Sequence, residues 1–498
     1  MGGSLIFQNC LIIFLCTLAV WYGKHHWDRR RLYMMAKQKP GPISLPFIGG
    51  AWCFINKNIL DASVGLQERY GSITSVWIGQ ELNFFLSDPE DLEMVLTSPH
   101  AYGKHVNYKF VKGILGDGLI TAPVDKWKTR RRALAPTFNQ KILDGFVQTF
   151  VRQSETLVKK LETIVGKGTF DSFDYISRCT LDIIFETEMG LSINAQHTEG
   201  QMLEWANSAF KIAIIRMFSK WYSNDFLFNM SLMSEVFRES KRRLEEFTQA
   251  IVDRQLEAYR KNVAQEYLGD EPKFKTFLQL LIELSEDTLH LTKTEIREEV
   301  MTFFIAGSET TATTTAFTLL TLGIDLTVQE KVYQEIMDVL GSDRNIVYQD
   351  LPKFVYLERV LKETLRLFPG GPLLGRSVTS DIKLKGCTIP GGSFLTLVVH
   401  HMHRNPEIYP EPLKFDPDRF LSEQVSKRHP YAWLPFSGGH RNCIGMKYAF
   451  MVMKTVIANI VREFKITTPY RDVGEIALES QVVLKTPDGY PISLQKRD

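Results

Sequence analysis

Phe436-Ser437-Gly438-Gly439-His440-Arg441-Asn442-Cys443-Ile444-Gly445 sets one cysteine in a glycine-rich turn. An apolar, helix-patterned run, Met446 to Val461, follows at once. Glycine lets the backbone approach a flat ligand closely. The start of a helix favours the thiolate of a nearby cysteine by its dipole. Arg441, two residues ahead of the thiol, is placed to meet a carboxylate. Taken alone, a single cysteine in a turn is more often a buried, inert residue; the surrounding pattern decides otherwise.

Other stretches break local rules in ways that ask for a reason. Ala306-Gly307-Ser308-Glu309-Thr310-Thr311 interrupts a long apolar helix pattern over 293–325. A glycine there costs about 1 kcal/mol relative to alanine, and such conflicts in a strong element are expected at functional sites. Ala306 and Thr310, four residues apart, share one face. In the helical window 354–368, Glu363 and Arg366 are three apart and can pair. Trp127 and Arg131 share a helix face at a spacing of four, with Arg130 and Arg132 as competing neighbours. Phe415-Asp416-Pro417-Asp418-Arg419-Phe420 lies between the paired helix and the cysteine turn. His401 and His403 form no ligand-spaced pair on a helix, so no metal site is expected there.

These segments, in this order, resemble the cytochrome P450 family. Phe436, Gly439, Arg441, Cys443 and Gly445 match every fixed position of its haem-binding signature. The resemblance runs from about residue 40 to the C-terminus, and Thr180 to Gly190 looks like the animal family 4 group, much represented in insects. It implies a mainly α fold with small β-sheets, a triangular helical haem domain. It also implies haem b ligated by Cys443, with Trp127, Arg131, Arg376 and Arg441 toward the propionates. Glu363, Arg366 and Arg419 would form a buried triad, tolerable only when its charges are mutually paired. Thr310 would hydrogen-bond dioxygen and Glu309 support proton delivery. Phe303, Ala306, Leu373 and Leu374, with the 100–120 region and the apolar stretch 208–233, would contact substrate. Many relatives in the group carry Glu where this chain has Ala306, and that Glu can bond covalently to haem. Alanine cannot, so the haem is expected to be non-covalent.

The implied reaction is monooxygenation of a small lipophilic compound with O2 and with electrons from NADPH. NADPH–cytochrome P450 reductase is the implied partner, with cytochrome b5 as a second. Lys126, Lys128, Arg130, Lys427, Arg428 and Lys447 are candidates for the docking face. Two rivals remain at this level: a peroxide-rearranging isomerase that needs no reductase, and a haem sensor without catalysis.

The N-terminus adds a location. Leu5 to Tyr22 is apolar apart from Gln8, Asn9 and Thr17, and an eighteen-residue helix rises roughly 27 Å, close to a bilayer core. Lys24, Arg29, Arg30 and Arg31 follow it, which puts the following chain in the cytosol. Residues 1–23 are therefore expected to be a single retained anchor, in the endoplasmic reticulum membrane by resemblance. Residues 24–50 read as a basic, then Pro/Gly-rich, linker, and 51–498 as the catalytic domain. Between Lys39 and Gly49 lie three prolines and two glycines, which excludes helix and central strand. The remaining composition is globular: 498 residues, 44% hydrophobic, 23% charged, net charge +2. That balance argues against a dedicated nucleic-acid binder. Six cysteines without CxxC spacing give no disulfide framework. Helices are expected over 139–165, 172–189, 234–265 and 327–341, and strands near 72–86, 381–398 and 464–495.

Overall fold

The computed structural model describes residues 2–198, 201–219, 221–266, 275–342, 344–481 and 483–497. Its axis is the helix Lys293–Ile324. Thr292 opens it with a capping box: Thr292 Oγ1 accepts from the Glu295 N–H, and Glu295 Oε2 accepts from the Thr292 N–H. Asp325 closes it, and its carboxylate accepts from the N–H groups of Thr327 and Val328, starting the next helix, Leu326–Leu340. Between Thr311 and Gly323 every residue is buried, so this stretch is apolar or Thr-rich all round rather than amphipathic. Its threonines discharge their hydroxyls onto their own helix: Thr310, Thr314, Thr315 and Thr318 each donate to the carbonyl four residues back.

Around it pack the helices Phe173–Ile184, Leu232–Glu266, Val355–Leu367 and Met446–Glu463. Gly307 explains itself here. A Cβ on it would lie 2.4 Å from Ile184 Cδ1, so the glycine allows the central helix and Phe173–Ile184 to close on each other. Its role is packing; the cavity side of the helix is set by its neighbours. The expected helix 172–189 ends in a single π turn, Phe185–Met189, closed by Gly190 at a φ of 68°. The expected 139–165 helix is two, Gln140–Asp144 and Val147–Glu162, separated by Gly145 and Phe146.

The sheets are small, as expected. The largest runs in the order Ile73–Ile78, Glu81–Leu86, Phe394–Leu397, Leu374–Ser377, Gly103–Lys104. Its second and third strands are parallel and its other pairings antiparallel. The strand register sets Lys104 opposite Arg376. A hairpin, Glu479–Ser480 with Leu484–Lys485, sits near the C-terminus.

The N-terminal helix runs Gly2–Asp28, and Arg30–Ala36 continues helically. Residues 24–28 and 30–36 are thus helical, with a turn at Arg29. Ile6–Asp28 is long and apolar enough to cross a membrane by length and composition, and none of its most apolar window is buried against the rest of the chain. The Pro/Gly-rich stretch lies along the strand Ile73–Ile78: Ser75 N–H donates to Pro40 O at 3.0 Å, and Gly79 N–H to Ile48 O at 3.0 Å. A Cβ on Gly41 would fall 1.9 Å from Ser75 O. Gly41→Ala is therefore expected to lift this strap. Hydrogen exchange at the Ser75 amide should rise while amides of the central helix stay protected; unchanged protection at Ser75 would show that the strap tolerates a side chain there.

Candidate active site

A cavity of about 1560 Å³ opens between the central helix and the Cys443 turn. Cys443 forms part of its floor: its side chain faces the cavity although protein encloses it on the other sides. The turn is closed by Cys443 N–H donating to Phe436 O at 2.9 Å. Ser437 and Gly439 both take a positive φ, 60° and 64°. At Gly439 no other residue would fit, since a Cβ would lie 2.0 Å from Leu96 O. At Gly445 the nearest atom to an added Cβ would be Cys443 Sγ at 4.0 Å. The protein does not demand that glycine by crowding; it leaves free space beside the sulfur. The Phe436 ring packs on Phe450.

The thiol differs from expectation in one respect. Burial pushes Cys443 above its ordinary value, against the pull of the Gly445 N–H and the Arg131 guanidinium. The helix start alone does not hold a thiolate; a bound metal deprotonates a coordinating thiol outright. No cluster of three His, Cys, Asp or Glu suited to a metal exists among the described residues. One sulfur facing open space fits a metal that brings its other ligands with it.

Lys104, Arg131 and Arg441 line the same cavity, and Arg376 lies buried beside them. Arg441 donates to Tyr102 O at 2.7 Å and Ala122 O at 2.8 Å, with its guanidinium carbon 4.6 Å from the Trp127 ring centroid. Arg376 is buried, and donates to Gly375 O and Ser437 Oγ. Arg131 clamps the residue before the cysteine, donating to Asn442 O at 3.1 Å and Asn442 Oδ1 at 2.7 Å. The structure adds Lys104, which the sequence reading missed. Burial, then the charges of Arg376 and Arg441, hold its ammonium well below the usual lysine range. Burial likewise lowers Arg376, and lowers Arg441 to about 10. Among the described residues none of these four cations forms an ion pair with a carboxylate. Such a cluster is costly by itself and fits a ligand that carries carboxylates. Only the Lys104–Arg376 strand pairing could have revealed Lys104, and sequence spacing does not carry it.

Arg130, a competitor for the Arg131 role, is used elsewhere. It is buried and donates to Glu299 Oε1 at 3.0 Å and Glu295 Oε1 at 2.6 Å, tying its helix to the central one. It cannot belong to an exposed docking face. Arg428 is half-buried over Tyr409 and Phe420, and Lys126 pairs with Asp117 and Glu295. Lys128, Lys427 and Lys447 are exposed.

Opposite the thiol, Ala306, Glu309 and Thr310 line the wall, with Phe303 beside them. Thr310 Oγ1 donates to Ala306 O at 2.7 Å. Glu309 is ion-paired with Lys485 of the C-terminal hairpin, a contact no motif announced. Phe303 packs with Phe138 and Phe277 in a mutually touching cluster of rings, and Leu373 and Leu374 line the cavity from the sheet side. Residues 104–111 line the cavity as well. Of the 208–233 stretch only the part up to Ser223 lines the cavity; Phe226, Met230 and Leu232 are exposed on the outside.

Behind the floor stands the charged group that fixes it. Glu363 accepts from Arg366 Nε and Nη2, both at 2.7 Å, and neither side chain is exposed to solvent (0%). The Asp416 N–H donates to Glu363 Oε1 at 3.0 Å, and Arg419 Nε lies 3.4 Å from the same oxygen. Arg366 Nη1 donates to His403 O at 2.8 Å. His403 then bridges to the turn: its Nδ1–H donates to Arg366 O at 3.1 Å, and its Nε2 accepts from Leu434 N–H at 2.8 Å. Only the neutral Nδ1–H tautomer satisfies both. Burial, then the Arg366 charge, lower His403 to about 3. It is a structural connector, not a ligand.

A model of the family described as "Cytochrome P450" matches residues 39–494. The chain is 34% identical to cytochrome P450 4c3 of Drosophila melanogaster, over 98% of this chain and 94% of that protein. It is 37% identical to human cytochrome P450 4V2, over 86% of this chain and 83% of that protein. Cytochrome P450 4c21 of Blattella germanica is 35% identical over 93% of each chain. The likeness to the family 4 group is thus shared by insect and vertebrate members.

Two outcomes are expected from the buried network. Glu363→Ala leaves Arg366 as an uncompensated buried charge and should lose about 3–5 kcal/mol of stability, read from denaturant midpoints. His403 binds a proton in the unfolded chain below about pH 6.5 but in the native chain only near pH 3. Its contribution is therefore present above pH 6.5 and lost as pH falls toward 3. The stability-versus-pH slope in that window should be shallower in His403→Gln than in the wild type; equal slopes would show that His403 titrates alike in both states.

Proposed function

The chain belongs to the cytochrome P450 family, whose members are monooxygenases, and from that premise we propose that it inserts one atom of O2 into a lipophilic substrate at the Cys443 cavity. The observation that carries this reading is one cavity with a lone thiol and the cations Lys104, Arg131 and Arg441 on one side, Arg376 buried beside them, and Ala306, Glu309 and Thr310 on the other. Haem b bound there supplies the iron at which O2 is reduced, and a thiolate ligand favours O–O cleavage.

The residues divide the remaining work. Cys443, its backbone held in register by the Phe436 carbonyl, would ligate the haem iron. Lys104, Arg131, Arg376 and Arg441 would hold the propionates, with Trp127 packed under Arg441. Ala306 offers no carboxylate for a covalent bond, so these residues would hold the haem non-covalently. Thr310 presents a hydroxyl that can turn from the Ala306 carbonyl toward the cavity, and Glu309 supplies the acid beside it. Phe303, Leu373 and Leu374 exclude water and orient the substrate, whose C–H bond becomes C–OH while two electrons and two protons reduce the second oxygen atom to water. Fatty acids, hydrocarbons, hormone-like lipids and xenobiotics are all within reach of a wall this apolar.

The electrons come from NADPH through NADPH–cytochrome P450 reductase, with cytochrome b5 as a second donor. Lys128, Lys427 and Lys447 are the exposed cations of the expected docking face that pair with no carboxylate among the described residues, whereas Lys126 pairs with Asp117 and Glu295. The helix Ile6–Asp28 anchors the chain in the endoplasmic reticulum membrane with the catalytic domain on the cytosolic side. The exposed Phe47, Trp52, Phe218 and Trp221 support a second contact with lipid, since Phe47 and Phe218 also line the cavity.

Reconstitution with reductase and NADPH under ¹⁸O2, against a panel of lipophilic compounds, tests the reading. One ¹⁸O atom per hydroxylated product, with no product when NADPH is omitted, is expected. Product formed without NADPH, or without the label, would instead identify a rearranging isomerase.

A further inference from the structure

Glu309 does not stand free on the cavity wall. Its carboxylate is ion-paired with the Lys485 ammonium, which the C-terminal hairpin brings to the middle of the central helix. Both side chains are largely shielded, 18% and 21% exposed. The Lys485 ammonium also lies 5.1 Å from the centroid of the Phe173 ring, a cation–π contact that fixes the lysine from a second side. Tyr490 closes the group. Its ring stacks on Phe173 at 5.1 Å and its phenol feels the Glu309 charge. Around Lys485, Leu478, Ser480 and Val483 line the cavity itself.

We propose that Lys485 is a positioning residue for proton delivery: it fixes the Glu309 carboxylate at the cavity wall, next to Thr310, and links it to solvent. An unpaired glutamate on a helix has several rotamers of similar energy and would reach the wall in only a fraction of molecules. A shielded ion pair to a lysine that is itself held over an aromatic ring selects one. The hairpin carries this lysine and part of the cavity wall on the same few residues. This inference rests on the reading of Glu309 and Thr310 as the proton-delivering pair.

The test uses the full-length, haem-loaded protein with reductase and NADPH, and needs no organic substrate. Oxygen leaves either as H2O2, with two electrons and two protons, or as two waters, with four of each. The share released as H2O2 reads how well protons are supplied. Glu309→Gln and Lys485→Gln should each raise that share, by roughly fivefold. The double variant should go no further than either single one, and Lys485→Arg should return most of the way to wild type. Hydrogen exchange in the 478–488 segment should rise equally in both Gln variants, with or without haem turnover. A wild-type H2O2 share in Lys485→Gln beside a raised one in Glu309→Gln would overturn the role of Lys485 and leave the pair reading standing. Fully additive effects in the double variant would also overturn it, since Lys485 would then act apart from Glu309. If neither Glu309→Gln nor Thr310→Ala moves the share, the underlying reading fails, and the ion pair is then a purely structural one.

Discussion

A carboxylate and a guanidinium shut away from water, Glu363 and Arg366, are the constraint on which the site depends. Each costs several kcal/mol to bury alone, and only near-complete mutual satisfaction makes the arrangement stable. That requirement reaches outward. Glu363 must also accept the Asp416 amide, and Arg366 must find His403 O. His403 in turn holds the Leu434 amide, two residues before the turn that carries Cys443. A loop with two successive positive-φ demands, at Ser437 and Gly439 within three residues, would not hold one conformation by its own propensities. It is fixed from behind by a hydrogen-bond relay that begins at a fully buried ion pair.

The cavity is assembled on that floor by parts with different reasons to be where they are. The central helix begins at its capping box and ends at Asp325. Gly307 lets it press against Phe173–Ile184, and this close packing fixes where Ala306 and Thr310 face. Arg130 locks the neighbouring helix through Glu295 and Glu299, which leaves Arg131 to reach the cysteine turn. Adjacent arginines thus have opposite tasks, one spent on packing and one on the site.

Much of this was legible in sequence because it is local. The Cys443 turn, the Glu363–Arg366 spacing, the Ala306–Thr310 face and the boundaries of the long helix all lie within one element or one turn. What escaped was set by long-range register. Lys104 joins the cation cluster only because its strand pairs with the one that carries Arg376, and Lys485 meets Glu309 across 176 positions of chain. His403 offers no sequence signal for its use as a connector, which depends on a fold that sets it between Arg366 and Leu434. Arg130 shows the converse error: a basic residue on a polar helix reads as surface until its two glutamates are seen.

The central claim is that Cys443, in the environment fixed by this network, is the thiolate ligand of the haem. The most direct measurement is the absorption spectrum of the reduced, CO-bound protein, wild type and Cys443→Ala side by side. The wild type should show the red-shifted band of thiolate ligation and the variant should lack it. A variant that binds haem and keeps that band, or a wild type that never shows it, would rule out Cys443 as the ligand.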